Sequence, residues 1–95
     1  MSVKEKILMA IYREYTRGNH DMRRSVGHDG LQVECGIFNQ EIQSLQTEGL
    51  IRGAVLVKNR LNDFLEQVIL NQVGLTHRGL YYVRNHILIN TSENF

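Results

Sequence analysis

An amphipathic stretch that stops at Gly49, an apolar segment that turns back through KNRLND, and a Leu-Thr-x-x-Gly sequence opening a last helix follow one another in the second half of the chain. That order predicts a mixed α+β fold, a winged helix with three main helices and a β-hairpin wing. At 95 residues the chain is long enough for one hydrophobic core. A single domain over residues 1–90 is expected, with a disordered tail over 91–95.

The first helix is predicted over residues 3–15. Val3, Ile7, Ile11 and Tyr15 recur at i+4, and Leu8, Ala10 and Tyr12 widen the stripe. This spacing reads Tyr12 and Tyr15 as core residues rather than base-stacking ones. Ser2 is placed to cap the helix and Gly18-Asn19 to stop it, since both stop residues accept the left-handed conformation. The next segment, GNHDMRRSVGHDG, is polar. A helical turn over 21–26 with Asp21 as its cap is expected there, then a brief strand from the alternation Leu31-Gln32-Val33.

A central helix is predicted over 35–48 from Phe38, Ile42 and Leu45. Glu34 holds its cap position, where it is a poor capping residue, although Val33 and Phe38 are spaced as a hydrophobic staple. LIRGAVLV, residues 50–57, predicts a strand in which Gly53 permits a bulge or bend. The return segment FLEQVILNQV fits two patterns. Phe64, Leu65, Val68 and Ile69 suit a helical stripe capped by Asn62; residues 67–73 suit a strand, and the hairpin favours the strand. Thr76 is a good cap for the last helix, with Leu75 and Leu80 as a second staple. Leu80, Val83 and Ile87 form its buried stripe with Tyr82, and Asn85-His86 predicts fraying.

Four segments, ILMAIYREYTRGN, FNQEIQSLQTEGLIRG, the basic VKN after the strand, and LTHRGLYYVRN, cover most of the chain. In these the chain resembles the YjcQ-like family of small bacterial and phage winged-helix proteins. Leu75, Thr76, Gly79, Leu80, Tyr82 and Asn85 match the family ending. It departs from the family pattern at Glu34, where a threonine-like cap is usual, and in a longer loop between Gly18 and Leu31. The resemblance implies a winged helix in a bacterial or prophage protein, and it implies no particular activity.

Composition narrows the function less than the fold. Net charge is only +1, whereas a strongly basic domain would have pointed to nucleic acid. Residues 1–33 carry six Lys/Arg against four Asp/Glu, residues 34–48 three Glu and no cation, and residues 49–92 five cations against two carboxylates. No apolar run approaches the roughly 18–20 residues of a membrane helix. Glu5, Arg13 and Glu14 interrupt any signal-like core at the N-terminus. One cysteine excludes an internal disulfide and a multi-cysteine zinc ribbon. A reducing, cytoplasmic location is expected.

The central helix is the candidate reader of DNA. Asn39, Gln40, Gln43, Ser44 and Thr47 are predicted to face outward, and amides and hydroxyls of this kind bond base edges in the major groove. Arg52, Lys58 and Arg60 on the wing, Arg23 and Arg24 in the loop, and Arg78 at the last helix are candidate phosphate contacts. Glu34, Glu41 and Glu48 oppose this reading. Two functions therefore stand side by side: a regulatory protein on double-stranded DNA, and a protein-interaction module of a phage or mobile-element assembly. Tyr81, Ile87, Leu88 and Ile89 form a candidate homodimer patch. The four histidines show no ligand spacing, so no metal or cofactor is expected. No nucleophile–base pair, carboxylate pair or phosphate loop marks an enzyme. Cys35 reads as a small packing residue.

Overall fold

The structure is a computed structural model that describes residues 2–88. The expected tail, and Ile89 of the candidate dimer patch, lie outside the described residues. Within them the chain is a mixed α+β protein with helices and two small antiparallel sheets.

Helix α1 runs Val3–Thr16. Ser2 and Glu5 cap it reciprocally: Ser2 Oγ accepts from the Glu5 N–H at 3.1 Å, and the Ser2 N–H donates to Glu5 Oε1 at 3.2 Å. At its far end the Gly18 and Asn19 N–H groups return to the Tyr15 and Glu14 carbonyls, as the sequence predicts. Ile7, Leu8 and Ile11 are fully buried, and Tyr12 and Tyr15 pack half-buried against them.

The following loop meets expectation in part. Residues 21–26 make a single turn, in which the Val26 N–H donates to the Met22 carbonyl at 3.1 Å and Asp21 Oδ1 accepts from the Arg23 N–H at 3.3 Å; the Asp21 carboxylate also accepts from the Arg23 guanidinium at 2.9 and 2.7 Å. A short helix, α2, His28–Leu31, follows further along. The alternation at Leu31–Val33 is not a strand. Gln32 takes the left-handed conformation (φ 57°). The Gln32 and Val33 N–H groups donate back to Asp29 and His28. The two apolar residues are thus a helix end turned onto the core. Extended pairing occurs earlier in the loop, where the Met22 N–H donates to the Leu70 carbonyl at 2.7 Å and the Val73 N–H to the His20 carbonyl at 2.9 Å. Met22 and Val26 are buried beneath it.

Helix α3 runs Cys35–Thr47. Glu34 caps it well, contrary to expectation. Its two carboxylate oxygens accept from the Gly36 and Ile37 N–H groups, both at 2.9 Å. The long side chain can fold back because Gly36 has no Cβ; one placed there would come within 3.1 Å of the carboxylate. Phe38, Ile42 and Leu45 are buried, as predicted.

The apolar stretch after α3 splits into β1, Ile51–Arg52, and β2, Val55–Lys58. The return segment likewise splits into β3, Leu65–Ile69, and β4, Gly74–Leu75, so the strand is adopted and the helix is not. Ile51 lies opposite Leu75 at the hairpin base, and Val55 opposite Ile69 in the outer part, with a bulge between Val57 and Lys58. Gly53 makes the split. It sits at φ 88°, and a Cβ there would strike the Gln72 carbonyl. Beside it, the Gln46 carboxamide stands in for a strand partner: it donates to the Ala54 carbonyl at 2.9 Å and accepts from the Ala54 N–H at 2.8 Å.

Helix α4, His77–Tyr82, continues as a π-helical turn, Val83–Ile87, instead of fraying. Asn85 and His86 hold that turn. Asn85 Nδ2 donates to the Tyr81 carbonyl at 2.9 Å, and the His86 ring stacks on Tyr82 at 4.8 Å. Val83 and Ile87 are buried against α1, and Leu80 is half-buried.

The ends of α3 and α4 are closed against each other. Thr76 Oγ1 donates to the Gly49 carbonyl at 2.5 Å and accepts from the Gly79 N–H at 3.0 Å. The Thr76 N–H donates to the Leu50 carbonyl at 3.2 Å, and Arg78 Nη1 to the Glu48 carbonyl at 3.3 Å. Gly79 lies so close to the Leu50 carbonyl that a Cβ would collide with it. The Leu-Thr-x-x-Gly sequence is therefore a lock between two helix ends.

This lock sets a stability prediction. Thr76→Ala should cost about 1 kcal/mol, the usual loss of a cap. Gly79→Ala should cost more, about 1–3 kcal/mol, by forcing the two helix ends apart. Thr76→Ser should stay near the parent. Urea unfolding midpoints check this, and a parent-like midpoint for Gly79→Ala would contradict the close approach.

Candidate nucleic-acid interface

Helical spacing divides the exposed side of α3 into two edges. Gly36, Gln40, Gln43 and Thr47 recur along one, and Ile37, Glu41, Ser44 and Glu48 along the other. The first edge carries no charge. Gln40 and Thr47 are exposed on it, and Gln43 is half-buried.

The second edge is acidic and turned toward α1. Lys4 reaches Glu48 at 2.5 Å. Its hydrogen bond to the Lys4 ammonium holds the Glu48 carboxyl below its usual range, and the same bond raises Lys4. Glu41 lies near enough to favour the Lys4 charge as well. Ser44 belongs to this edge, with Oγ 3.4 Å from Glu48 Oε2. Glu34 is spent on the helix cap, and its backbone bonds from Gly36 and Ile37 hold its carboxyl down. Two of the three carboxylates that oppose an anionic partner in the sequence, Glu34 and Glu48, thus have an internal bond. Lys4, central to this arrangement, carries no motif in the sequence; its only signal is a cation at the start of α1.

Asn39 is not outward. It is 8 % exposed and faces a cleft of about 380 Å³ between the loop at Arg23–His28, the first turns of α3 and β3. The reason is angular: Asn39 lies on the flank of α3 that packs beside β3, next to the buried Phe38 and Ile42. Its amide approaches Cys35 Sγ at 3.9 Å. Cys35 itself is exposed rather than packed, because as the first residue of α3 it lies at the rim of that cleft.

The candidate cations fall into separate groups. Lys58 and Arg60 stand exposed on the outer hairpin with no ion pair among the described residues. Arg23 lines the cleft beside α3, but it is bound to Asp21, whose carboxyl that side-chain bond lowers to about 2. Arg24 is exposed next to it. Arg78 sits at the C-terminal end of α3 through its bond to Glu48. Arg52 lies against Gly74 and Tyr15 at the hairpin base, away from the tip.

Of the candidate dimer residues that are described, Tyr81 alone presents a large surface to solvent, 65 % exposed. Ile87 is 4 % exposed and Leu88 half-buried; Ile87 follows the buried Val83 at i+4 on the stripe that packs against α1. Among the described residues no group of three His, Cys, Asp or Glu side chains could hold a metal ion, and no helix is long and apolar enough to cross a membrane.

The depressed carboxyls carry a pH consequence. A carboxyl held below its unfolded value contributes stability that is complete above that value and is lost as pH falls through the folded one. Glu34 and Glu48 both act in this sense. The parent should lose stability on acidification below about pH 4.3. Glu34→Gln should be less stable at neutral pH and show a shallower acid loss. Thermal melts across pH 3–7 check this; parallel curves would remove Glu34 from the cause. Set against protein-family models, curated proteins and solved structures, the chain matches none.

Proposed function

We propose that the chain is a winged helix that binds double-stranded DNA, in the manner of a small bacterial or prophage-encoded transcription regulator. The element order supports the fold reading. A first helix is followed by an extended segment paired to the hairpin, a short helix, the α3 helix, the β2–β3 hairpin as wing, and α4. In this reading α3 enters the major groove with Gln40, Gln43 and Thr47 toward base edges, and Ser44 beside them. Asn39 supports the helix from within. Lys58 and Arg60 hold phosphates from the wing, with Arg24 in the loop and Arg78 at the C-terminal end of α3.

The observation that carries this reading is the disposal of the acidic charge. Glu34 is bound into the cap and Glu48 into the pair with Lys4, while the opposite edge, Gly36, Gln40, Gln43 and Thr47, carries no charged residue. An uncharged amide edge flanked by exposed cations suits a polyanion. A second reading, a protein-interaction module of a phage or mobile-element assembly, draws on the exposure of Ile37 and Tyr81, 46 % and 65 %. Apolar side chains of this size serve interfaces between proteins, including a homodimer.

The test is fluorescence anisotropy on duplex DNA between about 50 and 200 mM salt. Binding should weaken steeply across that range. Lys58→Ala with Arg60→Ala should weaken it further and lower the salt slope by about 2, one for each phosphate no longer neutralised. Absence of binding at the lowest salt would transfer the weight to the protein-interaction reading.

A further inference from the structure

Strand β3 has a neighbour on one side only. It pairs with β2, and no other strand among the described residues joins that sheet. The loop before α2 begins to cover the other side and then leaves it. Just past the end of β3, the Met22 N–H donates to the Leu70 carbonyl and the Val73 N–H to the His20 carbonyl. From Arg23 the chain turns away.

The cleft of about 380 Å³ beside α3 opens along this uncovered side. Glu66, Gln67, Val68, Ile69 and Leu70 all line it. Successive strand residues point to opposite faces, so a cavity on one face of the hairpin would meet alternate residues only. Contact with an unbroken run places the backbone edge itself in the cleft. Leu70 turns its carbonyl to this side, and in a strand the residue two places away turns its N–H and C=O the same way. Val68 therefore offers the cleft a donor and an acceptor.

The opposite wall is α3. Asn39 is 8 % exposed and lines the cleft, and its one bond is a long contact from Nδ2 to Cys35 Sγ at 3.9 Å. Its Oδ1 has no donor among the described residues. A carboxamide can complete a backbone amide, as Gln46 does for Ala54 in the same molecule. Val26 and Phe38, both buried in the core, give the cleft an apolar lining. Arg23 and Glu66 bring opposite charges to it and are already bonded, Arg23 to Asp21 and Glu66 to Asn59.

An unpaired strand edge is a template for another strand. Here α3 and the loop stand on either side of it, so the edge is recessed. A single extended segment fits between these walls. The β3 edge of a second copy, carrying the same walls, does not. We propose that the cleft takes an extended, uncharged peptide segment of a partner protein, which joins the hairpin sheet as a strand beside β3. Its backbone pairs with Val68 on one side and meets the Asn39 carboxamide on the other, and an apolar side chain rests on Val26 and Phe38. The proposal does not depend on the DNA-binding reading, since none of Gln40, Gln43 and Thr47 lines the cleft.

The experiment selects short displayed peptides on the whole protein. The enriched sequences, made synthetically, are then measured by fluorescence anisotropy and amide hydrogen exchange. They should be uncharged and alternate apolar with polar residues. On binding, the Val68 amide should exchange at least about tenfold more slowly. Backbone N-methylation of the peptide at one set of alternate positions should weaken binding about tenfold, and at the other set leave it unchanged. That readout requires no change to the protein. Asn39→Leu should also weaken binding about tenfold. No enriched sequence, a bound peptide that leaves Val68 unprotected, or binding indifferent to N-methylation overturns the proposal. So does a parent dimer, seen by sedimentation, in which Val68 is protected without peptide, because the edge is then covered by a second copy.

Discussion

The lock between the C-terminal end of α3 and the N-terminal end of α4 is the constraint on which the remaining architecture depends. A helix end leaves carbonyl or N–H groups without partners, and burying them unpaired is costly. Here the two deficits meet. The Glu48, Gly49 and Leu50 carbonyls receive donors from Arg78 and Thr76, while the Thr76 hydroxyl caps α4. Because β1 leaves this junction and β4 enters it, the hairpin base is held in register by the same bonds. The outer hairpin, β2–β3, then projects from a fixed point.

Charge is distributed by the same economy of position. Residues 34–48 are the most acidic stretch of the chain, yet Glu34 is directed to the cap of α3 and Glu48 to Lys4 of α1. The pair with Lys4 is half exposed, so its contribution to stability is small in a screening solvent. Its effect on the surface is larger, since it separates an acidic edge from a neutral one on a single helix. The proposed function depends on that separation more than on the net charge of the chain.

Much of the fold is legible in the sequence because it follows periodicity and end signals. The stripe of α1, the Phe38–Ile42–Leu45 face and the Thr76 cap each rest on local rules, and each is found. The departures turn on contacts that periodicity does not encode. The alternation at Leu31–Val33 is a helix end and not a strand, because Gln32 takes the left-handed conformation. Glu34 caps the helix by folding its carboxylate back over Gly36, where a Cβ would crowd it. Spacing alone turns Asn39 outward, but the packing of β3 buries it; Ile87 is buried as its i+4 spacing from Val83 predicts, which removes it from the dimer patch. Of the outward edge of α3, Gln40, Gln43 and Thr47 keep their expected place. Phe64 fits the helical stripe that the hairpin overrules, and it stands exposed with Leu61 at the turn.

The Gln46 carboxamide has a consequence of another kind. It meets both backbone groups of Ala54 at once, one as donor and one as acceptor. Asn would be too short to reach, Glu could accept but not donate, and Lys could donate but not accept. A half-buried polar residue of a surface helix is thereby as restricted in what may replace it as a residue of the apolar interior. Tolerance to substitution along α3 follows the bonds that a side chain completes, and solvent exposure alone is a poor guide to it.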